Sequence, residues 1–199
     1  MNGHGTTDNR KRITLHDDDT TALTDELLAV RCQLGERPAF DALVERWHEP
    51  LWLYIRSMCD TDDDAAETLQ DTWLRILRAL PGLRQPGRLR AWLFGIARRA
   101  LMDRLRRRYA RAGDTPLTDD VAALEPEAWP DEDVGLMHDE LMSMPLVERE
   151  VLVLFYLREL PLDQVAAVLD VPVGTVKSRL FRARRMLRER LEQRGLTHD

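Results

Sequence analysis

The sequence predicts an all-α protein with two small helical domains joined by an acidic, flexible linker. Apolar residues recur every three or four positions through most of the 199-residue chain, as on the buried stripe of an amphipathic helix. No segment alternates apolar and polar residues for long enough to form a strand. A stretch from Gly113 to Pro130 is dominated by Pro, Asp and Glu and has no apolar period. It therefore divides the helical sequence into two parts.

Four helices are predicted before the linker. The first 24 residues are polar and are expected to form a mobile tail, after which Thr24 caps the first helix and Gly35 ends it. A loop over Pro81–Gly87 separates the third helix from the fourth. The second and fourth helices are predicted at about Pro38–Met58 and Arg88–Arg108, and the third is predicted to follow the turn at Asp60–Asp62 and to end at about Leu80.

Two of these helices have clear apolar stripes. The stripe of the third consists of Ala65, Leu69, Trp73, Ile76 and Leu77. The fourth carries Trp92 on its apolar stripe and arginines on its other face. Because both tryptophans lie on apolar stripes, they are predicted to be core residues rather than platforms on which bases stack.

Four further helices are predicted after the linker, at about 133–144, 145–159, 162–169 and 173–194. The last two fit a helix-turn-helix. Val165, Ala166 and Leu169 would pack the first of them against the second. Asp170 falls in the turn, where φ is expected to be positive, and Pro172 suits the start of the next helix.

The last helix is predicted to have a buried face and a cationic face. The buried face consists of Val176, Leu180, Ala183, Leu187 and Leu191. A helix with such a charged opposite face fits the DNA major groove, where an arginine can donate two hydrogen bonds to guanine. The residues of this face are Thr175, Lys177, Ser178, Arg179, Arg182 and Arg185. The alternative is a solvated basic face on an ordinary bundle helix.

Charge is distributed unevenly along the chain. The net charge of −6 on its own argues against a nucleic-acid partner. However, residues 84–111 contain ten arginines and one acid, and residues 177–194 contain eight basic residues and two acids. Between them, residues 112–148 contain eleven acids and no Lys or Arg. Two basic blocks around an acidic segment leave nucleic-acid binding open.

No group of residues predicts catalysis, a metal or a cofactor. Cys32 and Cys59 stand outside any metal-binding motif and are expected to be buried, reduced thiols. The five histidines are scattered, and no nucleophile is paired with a base. The N-terminal residues lack an apolar segment, and the longest apolar run, Val151–Leu157, is too short to cross a membrane. The chain is therefore predicted to be cytoplasmic and not an enzyme.

Segments in both helical parts carry a family resemblance. GTVKSRLFRAR (174–184) is similar to region 4 of the sigma-70 family of RNA polymerase sigma factors, and MPLVEREVLVLFYLREL (144–160) to the helix that opens that region. DAAETLQDTWLRI (64–76) resembles region 2.2, and WLFGIARRALMDRLRRR (92–108) resembles region 2.4. The likeness covers about residues 37–191 in family order. We expect no further domain after region 4, which favours the small extracytoplasmic function (ECF) group.

The resemblance implies a domain organisation and a set of partners. Residues 25–111 would form the region 2 domain, which binds core RNA polymerase and the −10 promoter element. Residues 112–132 would be the linker, and residues 133–194 the region 4 domain, which binds the −35 element. Core RNA polymerase, promoter DNA and an anti-sigma factor are the expected partners, with no membrane insertion. The alternative is a helix-turn-helix regulator that acts without being a polymerase subunit.

The resemblance also implies three sets of contact residues. The expected core-polymerase contacts are Asp64, Glu67, Thr68, Leu69, Gln70, Asp71 and Arg75. The expected −10 contacts are Arg84, Arg88, Arg90, Arg98, Arg99 and Arg106, with Pro81–Arg90 as the loop that would hold unstacked bases. The expected −35 contacts are the six residues of the cationic face of the last helix.

Overall fold

The computed structural model describes residues 17–112 and 139–194, and both parts are helical. Residues 17–112, the N-terminal bundle, contain α1 (Asp17–Gln33), α2 (Arg37–Arg56), α3 (Asp62–Ala79) and α4 (Leu89–Ala112). Residues 139–194, the C-terminal domain, begin with a helical turn at 139–142 and contain α5 (Leu146–Leu152), α6 (Leu162–Leu169) and α7 (Val173–Gln193). No strand occurs in these two ranges, which confirms the all-α prediction. The predicted linker and residues 1–16 of the predicted tail lie outside the described residues, apart from Ala112.

The first helix begins at Asp17 rather than at Thr24. The prediction of a mobile tail is therefore wrong for residues 17–24. A run of aspartates has the composition of a disordered segment, but composition alone does not exclude a helix. The predicted end at Gly35 is confirmed, since that residue has a φ of 80°, a left-handed conformation that glycine adopts without strain.

The N-terminal bundle is organised around one apolar core. Leu43, Leu51 and Ile55 of α2 are fully buried, as is Ile76 of α3. Thr61 caps α3, because its hydroxyl accepts a hydrogen bond from the Asp64 amide at 3.1 Å.

Two of the predicted core residues of the bundle lie nearer its surface. Leu77 is 53% exposed, so its predicted place in the core is wrong. The buried face of α3 is narrower than the face that its apolar residues span. Trp73 is half-buried and packs edge-on against Phe40, with ring centroids 6.3 Å apart.

The C-terminal domain contains the predicted helix-turn-helix. Both helices lie within one residue of their expected spans. Val165 of α6 and Val176 of α7 are fully buried. Asp170 ends α6 with φ 55° and ψ 49°, which confirms the predicted left-handed turn residue. Pro172 directly precedes α7, as its position in the sequence predicts.

The two parts of the chain pack against each other. Helix α4 of the N-terminal bundle lies against α6 of the C-terminal domain. Buried residues of both parts belong to one continuous apolar cluster. The face of α4 that carries arginines is therefore partly covered by the C-terminal domain.

Candidate nucleic-acid interface

The seven residues predicted to contact polymerase lie on α3 at different depths. Glu67 and Gln70 are exposed, and Asp64, Asp71 and Arg75 are half-buried. Thr68 and Leu69 are buried at 2% and 5% exposure, and the Thr68 hydroxyl donates to the Asp64 carbonyl at 2.7 Å. These two residues therefore cannot touch a partner directly. They can serve the α3 face only by packing beneath it.

Arginines hold the carboxylates of this face in place. Arg104 of α4 pairs with Asp64 and, at 2.5 Å, with Glu67. Arg75 pairs with Asp71 at 2.8 Å and reaches across to Asp103 of α4 at 2.7 Å. The hydrogen bond from Arg75 lowers the pKa of the Asp103 carboxyl below its ordinary value. The α3 face is thus a fixed set of paired charges rather than an open acidic patch.

A cavity of about 400 Å³ lies between the loop that precedes α4 and α4 itself, and Ala167 of α6 in the C-terminal domain also lines it. The loop contains two short 3₁₀ turns, Leu80–Gly82 and Pro86–Arg88, with Leu83–Gln85 between them. Three of the arginines predicted to contact the −10 element, Arg84, Arg88 and Arg99, line the cavity together with Trp92. All three are exposed, and no ion pair within residues 17–112 and 139–194 engages them. Trp92 is half-buried, so it lies between the core and the cavity rather than in the core alone.

The other three predicted arginines of α4 bind other parts of this chain. Arg106 pairs with Asp103 at 2.5 Å. The Nε of Arg98 donates to Oε1 of Glu150, in the C-terminal domain, at 3.1 Å. Arg90 donates to the backbone carbonyl of Arg158. In this arrangement Arg98 and Arg90 reach DNA only if their contacts with the C-terminal domain break.

Buried polar groups hold the two parts together. The hydroxyl of Tyr54, in α2, donates to the same Glu150 carboxylate at 2.8 Å. Burial and the nearby Glu150 raise the pKa of Tyr54 well above its ordinary value, which keeps the hydroxyl protonated as a donor. The neighbouring Arg149 is fully buried and donates to the carbonyl of Ser57 in the N-terminal bundle at 3.2 Å. Burial lowers the pKa of Arg149 to about 10, so it remains charged at neutral pH.

The cationic face of α7 is mostly open to solvent. Lys177, Ser178, Arg182 and Arg185 are exposed, whereas Thr175 and Arg179 are half-buried. The face is a convex row on one helix, the shape that the major groove admits.

Some of these side chains also have partners within the C-terminal domain. Arg182 pairs with the buried carboxylate of Glu148 in α5 at 2.8 Å, so it also braces α7 against α5. Arg184, which was not predicted as a contact, lies over the ring of Tyr156 at 5.3 Å.

Comparisons with known proteins agree with this arrangement. The sequence family described as Sigma-70 region 2 matches residues 43–111, and that described as Sigma-70, region 4 matches residues 135–187. The RNA polymerase sigma-H factor of Pseudomonas aeruginosa is 30% identical over 182 residues, which cover 84% of this chain and 94% of that protein. The chain belongs to the sigma-70 family.

Other relatives place this sigma factor in the ECF group. The ECF RNA polymerase sigma factor SigM of Mycobacterium tuberculosis is 35% identical over 162 residues, which cover 81% of each chain. The ECF RNA polymerase sigma-E factor of Escherichia coli is 30% identical over 190 residues, which cover 85% of this chain and 95% of that protein.

Two solved structures share the fold. CnrH, in complex with the cytosolic domain of CnrY, has a TM-score of 0.65 and 29% identity, and the match covers 85% of this chain and 97% of that one. The sigma factor RpoE of Bartonella quintana, in complex with the anti-sigma factor NepR, has a TM-score of 0.65 and 25% identity, over 77% of this chain and 96% of that one.

The family match decides between the two functions that the sequence left open. A helix-turn-helix regulator that acts without polymerase would account for residues 162–194. It would not account for a region 2 match over residues 43–111. The reading of the chain as a sigma factor is therefore confirmed over the alternative.

Several residues of the interface were not predicted from the sequence. Tyr54 and Glu150 are 96 positions apart, and nothing local to either one indicates that they meet. Gln33, at the end of α1, binds the loop that precedes α4, and a lone glutamine at a helix end gives no signal of such a role.

In the part of the chain that the structure describes, no group of His, Cys, Asp and Glu could hold a metal ion, and no helix is long and apolar enough to cross a membrane.

Proposed function

We propose that this sigma factor binds core RNA polymerase through the exposed face of α3 and directs initiation at promoters with two separate DNA-binding surfaces. The region 2 domain, residues 25–111, would recognise the −10 element, and the region 4 domain, residues 133–194, the −35 element, with the acidic linker between them. The chain itself would catalyse no step and would act in the cytoplasm. The observation that carries this proposal is the presence of two exposed cationic surfaces of different shape in one chain.

The shape of each surface supports a different DNA target. The row of cations on α7 suits the major groove of a duplex, where Arg185 and Lys177 would meet bases and phosphates. The cavity beside α4 instead combines an indole ring with three guanidinium groups. Such a concave site suits a base that has left the stack, because bases stack on aromatic rings while cations hold the backbone.

A polymerase contact on α3 is supported by what that helix exposes. Gln70 lies in the middle of the exposed face, between carboxylates that arginines hold in place. Leu74 and Leu77 are 45% and 53% exposed on the same helix. A protein interface typically combines an apolar centre with a polar rim, and the α3 face offers both.

An anti-sigma factor is a further proposed partner. Large apolar side chains are exposed on both parts of the chain, which is typical of surfaces that a partner covers. They include Leu23 and Leu27 in α1 and Phe181 in α7. The RpoE structure contains an anti-sigma factor, and CnrH was solved with the cytosolic domain of CnrY.

The core-binding part of the proposal is tested by placing a charge on the α3 face. Gln70→Arg should weaken the affinity for purified core polymerase by at least about tenfold, because an arginine there would need to be desolvated within an interface. Glu45→Arg, on the exposed side of α2, is the matched control and should bind core like the wild type. If Gln70→Arg binds core polymerase as tightly as Glu45→Arg and the wild type do, the core-binding surface lies elsewhere.

A further inference from the structure

The loop that precedes α4 is held from the side by the last residue of α1. The side-chain amide of Gln33 donates to the carbonyl of Leu83 at 2.7 Å and to that of Leu80 at 3.3 Å. These carbonyls are 50 and 47 positions away in the sequence. A single side chain thus ties the loop to a helix that contributes no residue to the lining of the cavity.

The two carbonyls lie where the loop changes direction. Leu80 and Leu83 are buried, and the Leu83 amide donates to the Leu80 carbonyl at 3.1 Å to close the first 3₁₀ turn. The next residue, Arg84, is exposed and lines the cavity. The Gln33 bond to the Leu83 carbonyl therefore fixes the peptide plane from which Arg84 departs.

Helix α1 also contacts the second turn of the loop. It packs against Pro86–Arg88, where Glu26 lies beside Gly87. Leu83 and Pro86–Arg88 bracket the exposed stretch of the loop, and α1 supports both ends of it. The two hydrogen bonds from Gln33 hold the backbone of the loop directly.

We propose that Gln33 is a positioning residue for promoter recognition: by holding the Leu80 and Leu83 carbonyls, it sets the wall of the cavity that selects a base of the −10 element. This inference rests on the proposed function of the cavity. It predicts that Gln33 determines how selective −10 recognition is, without itself touching DNA.

The test uses holoenzyme assembled from core polymerase and the full chain, with promoters randomised at both elements and transcripts sequenced. Gln33→Glu keeps the shape of the side chain but cannot donate to a carbonyl. It should reduce the base preference at the −10 element by on the order of tenfold, the effect of losing two neutral hydrogen bonds. The −35 preference and the core affinity should stay as in the wild type. Gln33→Lys, which keeps a donor, should restore most of the −10 preference, and the exposed neighbour Leu34→Ala should change nothing.

Two results would overturn the inference. One is a Gln33→Glu holoenzyme with the wild-type −10 preference, and the other is an equal loss of preference at both elements, which would indicate a general folding defect. A wild-type holoenzyme without any −10 preference would contradict the proposed function instead. Hydrogen exchange on the free protein tests the Gln33 inference independently of the proposed function of the cavity. The amides of Leu83 and Arg88, both bonded within the loop, should exchange about tenfold faster in Gln33→Glu if Gln33 holds the loop, and at the wild-type rate if it does not.

Discussion

Removing one buried hydroxyl should separate the two parts of this sigma factor. In Tyr54→Phe the ring remains, so its edge-to-face packing against Phe94 at 5.4 Å is kept. What is lost is the hydrogen bond from the hydroxyl to Glu150, whose carboxylate stays only 3% exposed and is left with Arg98 as its donor. The variant therefore weakens the contact between the two parts without opening a cavity in the N-terminal bundle.

The size of the effect follows from the charge on the acceptor. A hydrogen bond to a charged group contributes about 1.5–3 kcal/mol. Since about 1.4 kcal/mol corresponds to a factor of ten, the equilibrium between the closed and separated arrangements should shift roughly 10- to 100-fold towards separation. Separation would free Arg98 from Glu150, so that its guanidinium could bind DNA.

Small-angle X-ray scattering of the free protein measures this shift. The wild type should give the distance distribution of a closed molecule, and Tyr54→Phe should give a mixture with a larger radius of gyration. Tyr156→Phe, which removes a hydroxyl from a half-exposed ring of the C-terminal domain, is the control and should scatter like the wild type. Identical scattering from Tyr54→Phe and the wild type would contradict this role of the Tyr54 hydroxyl. Unfolding of the N-terminal bundle instead of separation, seen by circular dichroism, would contradict it as well.

Three further predictions concern individual side chains. Asp170→Gly should raise the free energy of unfolding by about 0.5–1 kcal/mol in urea titrations, since glycine adopts the left-handed turn without strain, and a loss of stability would contradict the assigned turn. Burial raises the pKa of Cys59 to about 11, so at pH 8 only about a thousandth of it is thiolate, and mass spectrometry should find it alkylated far more slowly than the half-buried Cys32. Equal alkylation of the two thiols would contradict the burial of Cys59. The stability that the protein gains by keeping the Cys59 thiol protonated should be complete below pH 9.0 and lost as the pH rises towards 11. Arg182→Ala should weaken −35 binding in a gel-shift assay. It should also lower the melting temperature, because it removes the ion pair of the buried Glu148 carboxylate, whereas Arg185→Ala should weaken binding alone.

The features that the sequence predicted well are local ones. The helix-turn-helix depends on apolar spacing within each helix and on one turn residue, Asp170, and both can be read from neighbouring positions. The end of α1 at Gly35 is likewise a single-residue signal. The buried part of the predicted face of α7 follows from the helical period, which places Val176, Leu180 and Ala183 in the core, whereas Leu187 and Leu191 on the same face are only half-buried.

The features that the sequence missed depend on distant contacts. An acidic residue in a helix ordinarily faces solvent, but Glu150 is buried. Its carboxylate accepts hydrogen bonds from Tyr54 of α2 and Arg98 of α4, which offset the cost of burying it. Leu77 lies on the apolar stripe of α3, but among residues 17–112 and 139–194 no helix buries it, and 53% of it is exposed. Arg90 and Arg98 were correctly placed on an arginine face, yet their present partners belong to the other part of the chain.

As a sigma factor, this chain should direct initiation as a polymerase subunit through two promoter elements. The most direct measurement is transcription by purified core polymerase, with and without the chain, on a library of promoter sequences. We expect the chain to direct initiation from a subset of promoters that share one −10 motif and one −35 motif, and core alone to direct none. Tight duplex binding by the chain alone, with no initiation directed by the chain and core together, would contradict this role.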